Sequence, residues 1–331
     1  MLTNETAIQD SLDKKARRKE IISAVLPFTG LVFITVALTI LTDGILIRGS
    51  NLINLLNQSF TVMVVGVGAA FVYAHGGIDF SVGAASGLSQ YVMIMMLTVY
   101  GLPVWTAVLA SIVLCVVSCS LVGAAASFLR VPVFVSSLCV RAICAGLLAN
   151  GSNAAGGQMR TNYSDYAAFN HPLLKGAVLI VIIAAGYFFF EKGIAGRNLK
   201  AIGGNPLTAG QAGIKVDKNK ILAFVFLGFC LGIAAFFQLT RLGIVTANSG
   251  MGLEFDVLLA IILGGFPMAG GSTSKMRSII VGAITSVVLS NGLIIWGLDV
   301  NIVNGVKGLL FIVIVSISFD RSNLKQIKLI S

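Results

Sequence analysis

Long apolar runs separated by short polar stretches are the dominant pattern along this chain. An apolar run of about 20 residues is long enough to cross the hydrocarbon core of a bilayer as a helix. The pattern predicts about ten transmembrane helices, at residues 21–41, 52–74, 81–100, 104–128, 131–149, 173–190, 221–240, 255–270, 279–297 and 301–319. The predicted fold class is therefore an all-α polytopic membrane protein.

Composition and charge agree with this prediction. Hydrophobic residues make up 56% of the chain and charged residues only 11%, with a net charge of +10. Lys and Arg concentrate in short cytoplasmic loops of membrane proteins. If both termini are cytoplasmic, 17 of the 23 basic residues fall on the cytoplasmic side. Basic loops facing an anionic inner leaflet then explain the positive charge, without a nucleic acid partner.

The predicted topology gives one transmembrane domain, 21–319, between cytoplasmic tails at 1–20 and 320–331. The first apolar run is too long, and lacks a small-residue cleavage site, for a removable signal peptide. We expect a polar outer loop at 150–172, which suits either a partner's docking surface or a solvated connection.

The largest cytoplasmic loop, 191–220, contains signals for a short helix. Asn205 is a suitable N-cap, Pro206 fits the first helical turn, and Gly213 can end the helix in a left-handed conformation. A helix from Pro206 to Ala212 is too short to be stable alone. We therefore expect it to lie on the membrane surface or to dock into another protein.

No motif for nucleotide binding, catalysis or metal binding is present. The stretch GGSTSKM (270–276) lacks the Gly-Lys-Ser/Thr ending of a P-loop. All five cysteines fall inside predicted spans and form no CxxC pair, which predicts neither a disulfide nor a metal site. We expect a protein that is not an enzyme, binds no cofactor, and takes its energy from a partner or an ion gradient.

Five ordered motifs extend over most of the chain. They are GGIDFSVG (76–83), VPVFVSSL (131–138), GGNPLTAGQAGIKV (203–216), GMGLEFDVLLAIILGG (250–265) and NGLIIWGLDVNIVNGVKGLLFI (291–312). These motifs resemble those of a known family, the permease subunits of ribose-type, binding-protein-dependent ABC importers, from about residue 50 to residue 315. The stretch GGFPMAGGSTSKM (264–276) departs from the family pattern, so the turn before the ninth predicted span is an open question.

The resemblance implies a transport subunit of the bacterial inner membrane, with broken or re-entrant helices. It would form the path for a monosaccharide or related polar solute, delivered by an extracytoplasmic sugar-binding protein and driven by a cytoplasmic ATPase subunit that uses the ATP. A second permease chain, identical or similar, would complete the path. The implied contacts with the ATPase lie in the short cytoplasmic helix, at Asn205, Pro206, Leu207, Thr208, Ala209, Gln211 and Gly213.

Charged residues inside the spans are candidates for the path. A carboxylate at membrane depth costs about 2.5–3.5 kcal/mol on insertion scales, so Asp79 should face protein or a water-filled cavity. A second interpretation is that Asp79 only caps the third helix, and His75 is expected at a helix end. Arg241 and Lys307 are candidate partners for Glu254 and Asp256. The residues predicted for the path or gate are Asp79, Phe80, Phe134, Arg141, Glu254, Asp256 and Asn291.

Two other function classes are compatible with part of this pattern. An ion-coupled secondary transporter would use Asp79 with Glu254 or Asp256 as coupling carboxylates, and the similarity between GGIDFSV (76–82) and GLEFDVL (252–258) suits its internal repeats. Such a transporter does not need a docking helix for an ATPase. A membrane anchor or scaffold predicts no buried charges and fits worst.

Overall fold

The computed structural model describes residue 25 and residues 27–161 and 166–318, and most of these residues are helical. The predicted tails, 1–20 and 320–331, and the start of the first predicted span lie outside the described residues. In chain order the helices are α1 (Pro27–Leu41), α2 (Gly49–Ala74), α3 (Val82–Ile94), α4 (Val104–Phe128), α5 (Val133–Ala154), α6 (Pro172–Tyr187), α7 (Ile194–Gly204), α8 (Pro206–Gln211), α9 (Val216–Leu242), α10 (Leu253–Leu263), α11 (Met276–Ile295) and α12 (Val300–Ser318).

Seven helices in the described part of the chain are long and apolar enough to cross a membrane. They are α2, α4, α5, α9 and α11, together with α3 and α6, which continue as π-helical turns to Val99 and Lys192. The apolar segments of α1 and α12 are shorter. The polytopic helical fold is therefore confirmed, whereas the described residues contain fewer span-length helices than the ten predicted.

The eighth predicted span, 255–270, is not one continuous helix. Helix α10 ends at Leu263, and a non-helical segment leads from there to α11. Gly265, Gly270 and Gly271 adopt positive φ angles of 76°, 74° and 100°. These left-handed conformations are incompatible with a continuing α-helix. The prediction of one helix was wrong here because the run stays apolar across the break.

Two short strands also depart from a purely helical fold. Strand β1 (Gln158–Arg160) pairs antiparallel with β2 (Ile244–Thr246), and Met159 lies opposite Val245. β1 belongs to the predicted outer loop, and β2 follows the end of α9. The pairing ties this loop to α9 on one side of the protein.

The element order occurs twice in the chain. In the first set, α2 is followed by a non-helical stretch, the shorter helix α3, and then α4 and α5. In the second set, α9 is followed by a non-helical stretch, the short helix α10, and then α11 and α12. The predicted topology makes α2 and α9 antiparallel, so the second set repeats the first in inverted orientation, as in many transporters.

Helices α2, α9 and α11 form the buried centre, whereas α5 and α6 are the least buried of the span-length helices. Small residues bring α9 against the backbone of α4. A Cβ atom added at Gly228 or Gly232 would lie 2.5 Å from the Cα atom of Val116 or Ile112, respectively. Close helix contacts at small residues are characteristic of membrane proteins.

This contact predicts a difference between two glycine substitutions. Gly232→Ala should lower the thermal unfolding midpoint in detergent, because the added methyl group meets backbone atoms of α4. Overpacking of this kind costs about 1–3 kcal/mol. Gly176→Ala in α6 is the control, since a Cβ atom there meets nothing within 4 Å. Equal midpoints for the two variants would contradict the packing described here.

Candidate functional site

The first turns of α3 and α10 lie against each other inside the protein. A Cβ atom at Gly83 would overlap the carboxylate of Glu254 and lie 2.7 Å from the carbonyl oxygen of Gly250. One turn later, Gly87 packs on the carbonyl group of Ser249. Two helix N-termini, each preceded by non-helical backbone, therefore meet at this point, and glycine is what permits the approach.

Equivalent residues of the repeated motif contact one another here. Residues 77–82 (GIDFSV) align with residues 252–257 (GLEFDV), which pairs Asp79 with Glu254 and Phe80 with Phe255. The rings of Phe80 and Phe255 make an edge contact with centroids 6.4 Å apart, and Phe134 of α5 lies 6.1 Å from Phe80. The sequence analysis missed Phe255, although the motif similarity pointed to it.

Asp79 is buried and uses only one of its carboxylate oxygens. Its Oδ1 accepts hydrogen bonds from the Ser81 amide and hydroxyl groups, each at 2.7 Å. Its Oδ2 is buried without a partner among the described residues. The first oxygen organises the turn that leads into α3, whose N-cap residue is Ser81, and the second is not used by this turn. Both interpretations of Asp79 therefore stay open.

His75 occupies the end of α2, where a helix-end role was expected. It is the C-cap residue of this helix, buried beside the ring of Phe224. Burial, with a smaller contribution from the nearby Lys220 charge, lowers the pKa of His75 to about 4. The imidazole is therefore neutral at physiological pH.

Glu254 and Arg141 form an ion pair between α10 and α5. The guanidinium lies 2.9 Å from Glu254 Oε1, and the Glu254 side chain is almost completely buried. The Arg141 side chain, on α5, is 29% exposed. Arg141, which lies inside the fifth predicted span, thus has an acidic partner.

Asp256 is bound on the opposite side of α10. Its Oδ1 lies 2.8 Å from Lys307 Nζ of α12 and accepts a hydrogen bond from the Ser290 hydroxyl at 2.8 Å. Residues two apart point to opposite sides of a helix. The start of α10 is therefore held between α5 and α12 by two ion pairs. Of the candidate cations, Lys307 pairs with Asp256, and Arg241 pairs with neither acid.

Asn291 is not part of this cluster. Its Oδ1 accepts a hydrogen bond of 2.8 Å from Asn51, which joins α11 to the start of α2. Both side chains are buried. The structure thus brings together Asp79, Phe80, Phe134, Arg141 and Glu254, places Asp256 on the far side of α10, and leaves Asn291 elsewhere.

The short cytoplasmic helix forms as predicted, with one residue fewer. The side chain of Asn205 accepts hydrogen bonds from the amides of Leu207 and Thr208, at 3.0 and 3.2 Å, and Pro206 is the first helical residue. Gly213 follows the helix with φ 85°. Leu207 is 78% exposed.

Two contacts connect this cytoplasmic segment to the transmembrane core. A Cβ atom at Gly203 would overlap the Ala74 carbonyl oxygen and lie 2.6 Å from the amide nitrogen of Gly271, which itself donates to Ala74 at 2.9 Å. Glu191 binds Lys200 at 2.8 Å and accepts from the amide of Met276 at 2.8 Å. Helix α7 therefore touches the end of α2 directly and is linked to the start of α11 through Glu191. Neither contact had a local signal in the sequence.

Metal binding finds no support in this part of the chain. Across the ranges given above, no group of three or more His, Cys, Asp or Glu residues is arranged to hold a metal ion. The buried acids are instead matched with basic side chains or hydroxyl groups.

Comparisons with known proteins relate the chain to transport proteins. Residues 51–315 match a family described as branched-chain amino acid transport system / permease component. The ribose import permease protein of Escherichia coli strain K12 is 26% identical over 261 residues, which cover 76% of this chain and 79% of the relative. The ribose import permease protein of Bacillus subtilis strain 168 is 27% identical over 303 residues, covering 89% and 92%.

A relative named for a different sugar is similarly distant. The xylose transport system permease protein of Haemophilus influenzae is 25% identical over 322 residues, which cover 77% of this chain and 85% of the relative. No solved structure matches.

The Arg141–Glu254 pair can be tested by removing its members one at a time and together. Arg141→Met leaves a buried carboxylate without its cation and should destabilise the protein by about 3–5 kcal/mol. Adding Glu254→Gln should recover much of that loss, because the double variant has no unpaired charge. The thermal unfolding midpoint in detergent measures both effects.

Arg277→Met is the control for loss of an arginine, since Arg277 is exposed. If Arg141→Met behaves like Arg277→Met, or if the double variant is less stable than Arg141→Met, the ion pair does not hold α10 as described.

Proposed function

Because the chain belongs to the permease-component family that matches residues 51–315, we propose that it is the membrane subunit of an ABC importer for a monosaccharide or related polar solute. The match covers more than half of the chain. The family description names amino acids, whereas the relatives described above are named for ribose and xylose. We favour a sugar because those relatives match three quarters or more of this chain.

As a permease component, the chain is not itself an enzyme. It is a multi-pass protein, and its bacterial relatives indicate the inner membrane. The family implies partners: a cytoplasmic ATPase subunit and an extracytoplasmic binding protein. We propose that this chain binds no cofactor and that ATP is used by the ATPase.

The proposed path lies along α5, beside the meeting point of α3 and α10. Phe134 and Arg141 are partly exposed on this helix although α5 is long enough to span the membrane. A guanidinium that faced lipid at this depth would be costly. A second permease chain opposite α5, with a water-filled path between the two, removes that cost. This argument supports a pair of permease chains, whether identical or merely similar.

The ATPase would act on α8. Leu207 offers an exposed apolar side chain to a partner, and α7 connects α8 to the core. Motion of α8 would reach the end of α2 through Gly203 and the start of α11 through Glu191. The stretch between α2 and α3 contains Asp79. The contacts therefore provide a physical route from the ATPase side to the proposed path.

An ion-coupled secondary transporter is the second candidate, and the unpartnered Oδ2 atom of Asp79 favours it. The other proposed coupling carboxylates do not, because Glu254 and Asp256 are each paired with a cation. A coupling site must exchange its ion during each cycle. Carboxylates already neutralised by Arg141 and Lys307 are poorly suited to that exchange.

Solute uptake into proteoliposomes distinguishes the two candidates. The chain is reconstituted with its cognate ATPase and binding protein, ATP is supplied at the cytoplasmic face, and an uncoupler is present. We expect uptake of a labelled sugar that requires ATP and both partners, and that is lost when residues 206–212 are replaced by a Gly-Ser linker. Uptake by the chain alone that collapses with the ion gradient would refute the proposal.

Two neighbouring glycines test the route from α8 to the core. The measurement is the amount of solute transported per ATP hydrolysed. Gly203→Ala should reduce this ratio at least about tenfold, because the methyl group meets backbone atoms of Ala74 and Gly271 that cannot easily move. Gly204→Ala should leave the ratio unchanged, since a Cβ atom there meets nothing within 4 Å. Normal coupling in Gly203→Ala would exclude this contact from the route.

A further inference from the structure

A polar cavity lies inside one chain, on the far side of α10 from the proposed path. It has a volume of about 130 Å³ and lies between α2, α9, α11 and the segment that leads into α10. Most of its polar groups are neutral or cationic; they include Gln58, Thr61, Gln238, Arg241 and Ser290. In the predicted topology the cavity belongs to the outer half of the protein, since Arg241 is in the last turn of α9.

Arg241 has no partner among the described residues. It forms no ion pair or hydrogen bond there, and its Nε atom is buried. The carbonyl end of α9 stabilises a nearby cation to some extent. That interaction does not supply an acceptor for the Nε–H group. Leaving such a donor buried and unsatisfied is unfavourable, and more so for a charged group.

The nearby acids do not neutralise this arginine. Asp256 lines the same cavity, but its charge is matched by Lys307 at 2.8 Å. Glu254 is bound to Arg141 on the other side of α10. Among the described residues that line it, the cavity therefore keeps an excess of positive charge.

A second cation, Lys175, lies near Arg241 but outside the cavity lining. Lys175 of α6 is buried and close enough to Arg241 for the two charges to repel one another. It donates hydrogen bonds to the side-chain oxygens of Asn57 and Asn170, which are neutral. Within the described ranges it has no carboxylate partner. Neither cation has a carboxylate partner among the described residues, and one of them faces the cavity, which indicates a site for an anionic group.

The amide groups around Arg241 add further donors. The Oε1 atom of Gln238 already accepts from Gln90 at 3.1 Å and from Ser86 at 3.4 Å. Its NH₂ group therefore remains available, beside the guanidinium. A cavity that presents mainly donors selects a ligand rich in acceptors, and a planar guanidinium fork suits a carboxylate or phosphate.

From this arrangement we infer that the cavity binds the anionic group of a small polar solute, and that Arg241 is its principal ligand. The inference deepens the proposed function and rests on it, because it narrows the solute from monosaccharides in general to sugar acids. The carboxylate would accept hydrogen bonds from Arg241 and Gln238. The hydroxyl groups of Thr61 and Ser290 would contact the polyol part.

Binding of a matched pair of probes to the full chain in nanodiscs tests the inference. D-ribonate carries a carboxylate, and D-ribitol is a neutral polyol of the same carbon number. Titration calorimetry should give at least tenfold tighter binding of D-ribonate. Arg241→Gln should abolish that preference, and Arg241→Lys should retain part of it. Arg160→Gln in β1 is the control, because Arg160 is exposed and lies outside the cavity lining.

Equal binding of the two probes, or a preference that persists in Arg241→Gln, would overturn the inference. Inorganic phosphate that binds as tightly as D-ribonate would also overturn it, in favour of a site for a free anion. The inference would also be overturned if Arg241→Gln bound D-ribonate as the unchanged chain does but no longer docked the binding protein. ATP-driven uptake of a neutral sugar by a chain that does not bind D-ribonate would refute this inference alone and leave the proposed function standing.

Discussion

The absence of water in the bilayer interior is the constraint on which this structure depends. Backbone groups released by a break in a helix cannot be solvated by lipid, so breaks are tolerated only where protein surrounds them. Two of the breaks in the described residues, before α3 and before α10, pack against each other. Gly83 and Gly87 allow the backbones to approach closely enough to exclude lipid. The carboxylates near these breaks must likewise be surrounded by protein, because lipid cannot solvate their charge.

The ion pairs of α10 follow from this constraint. A short helix between two non-helical segments has few backbone hydrogen bonds of its own, so tertiary contacts must fix its position. Arg141 and Lys307 hold its first turn from opposite sides. Removing one partner leaves a buried charge, which is more costly than removing both. The same contacts leave Arg241 unmatched, and they separate the cavity around it from the surface of α5.

Much of the fold could be predicted from the sequence because apolar runs and basic loops are strong signals in membrane proteins. The short helix α8 was also predictable, since Asn205, Pro206 and Gly213 each act locally. The break after Leu263 was harder to recognise, because the segment that contains it remains apolar. Contacts between distant segments, such as Gly203 with Ala74 and Glu191 with Met276, depend on packing and had no local signal. For the same reason the sequence analysis could name Arg241 and Lys307 as candidate partners for Glu254 and Asp256 but could not decide which pairs form.

The two sets of helices are alike in order but differ in the contacts that hold their short helices. Two ion pairs fix the start of α10. Helix α3 is held instead by neutral hydrogen bonds, from Ser86 and Gln90 to Gln238 of α9 and between Ser89 and Ser111 of α4. Inverted repeats need not be stabilised in the same way, since charge fixes one of these short helices and neutral polar groups fix the other.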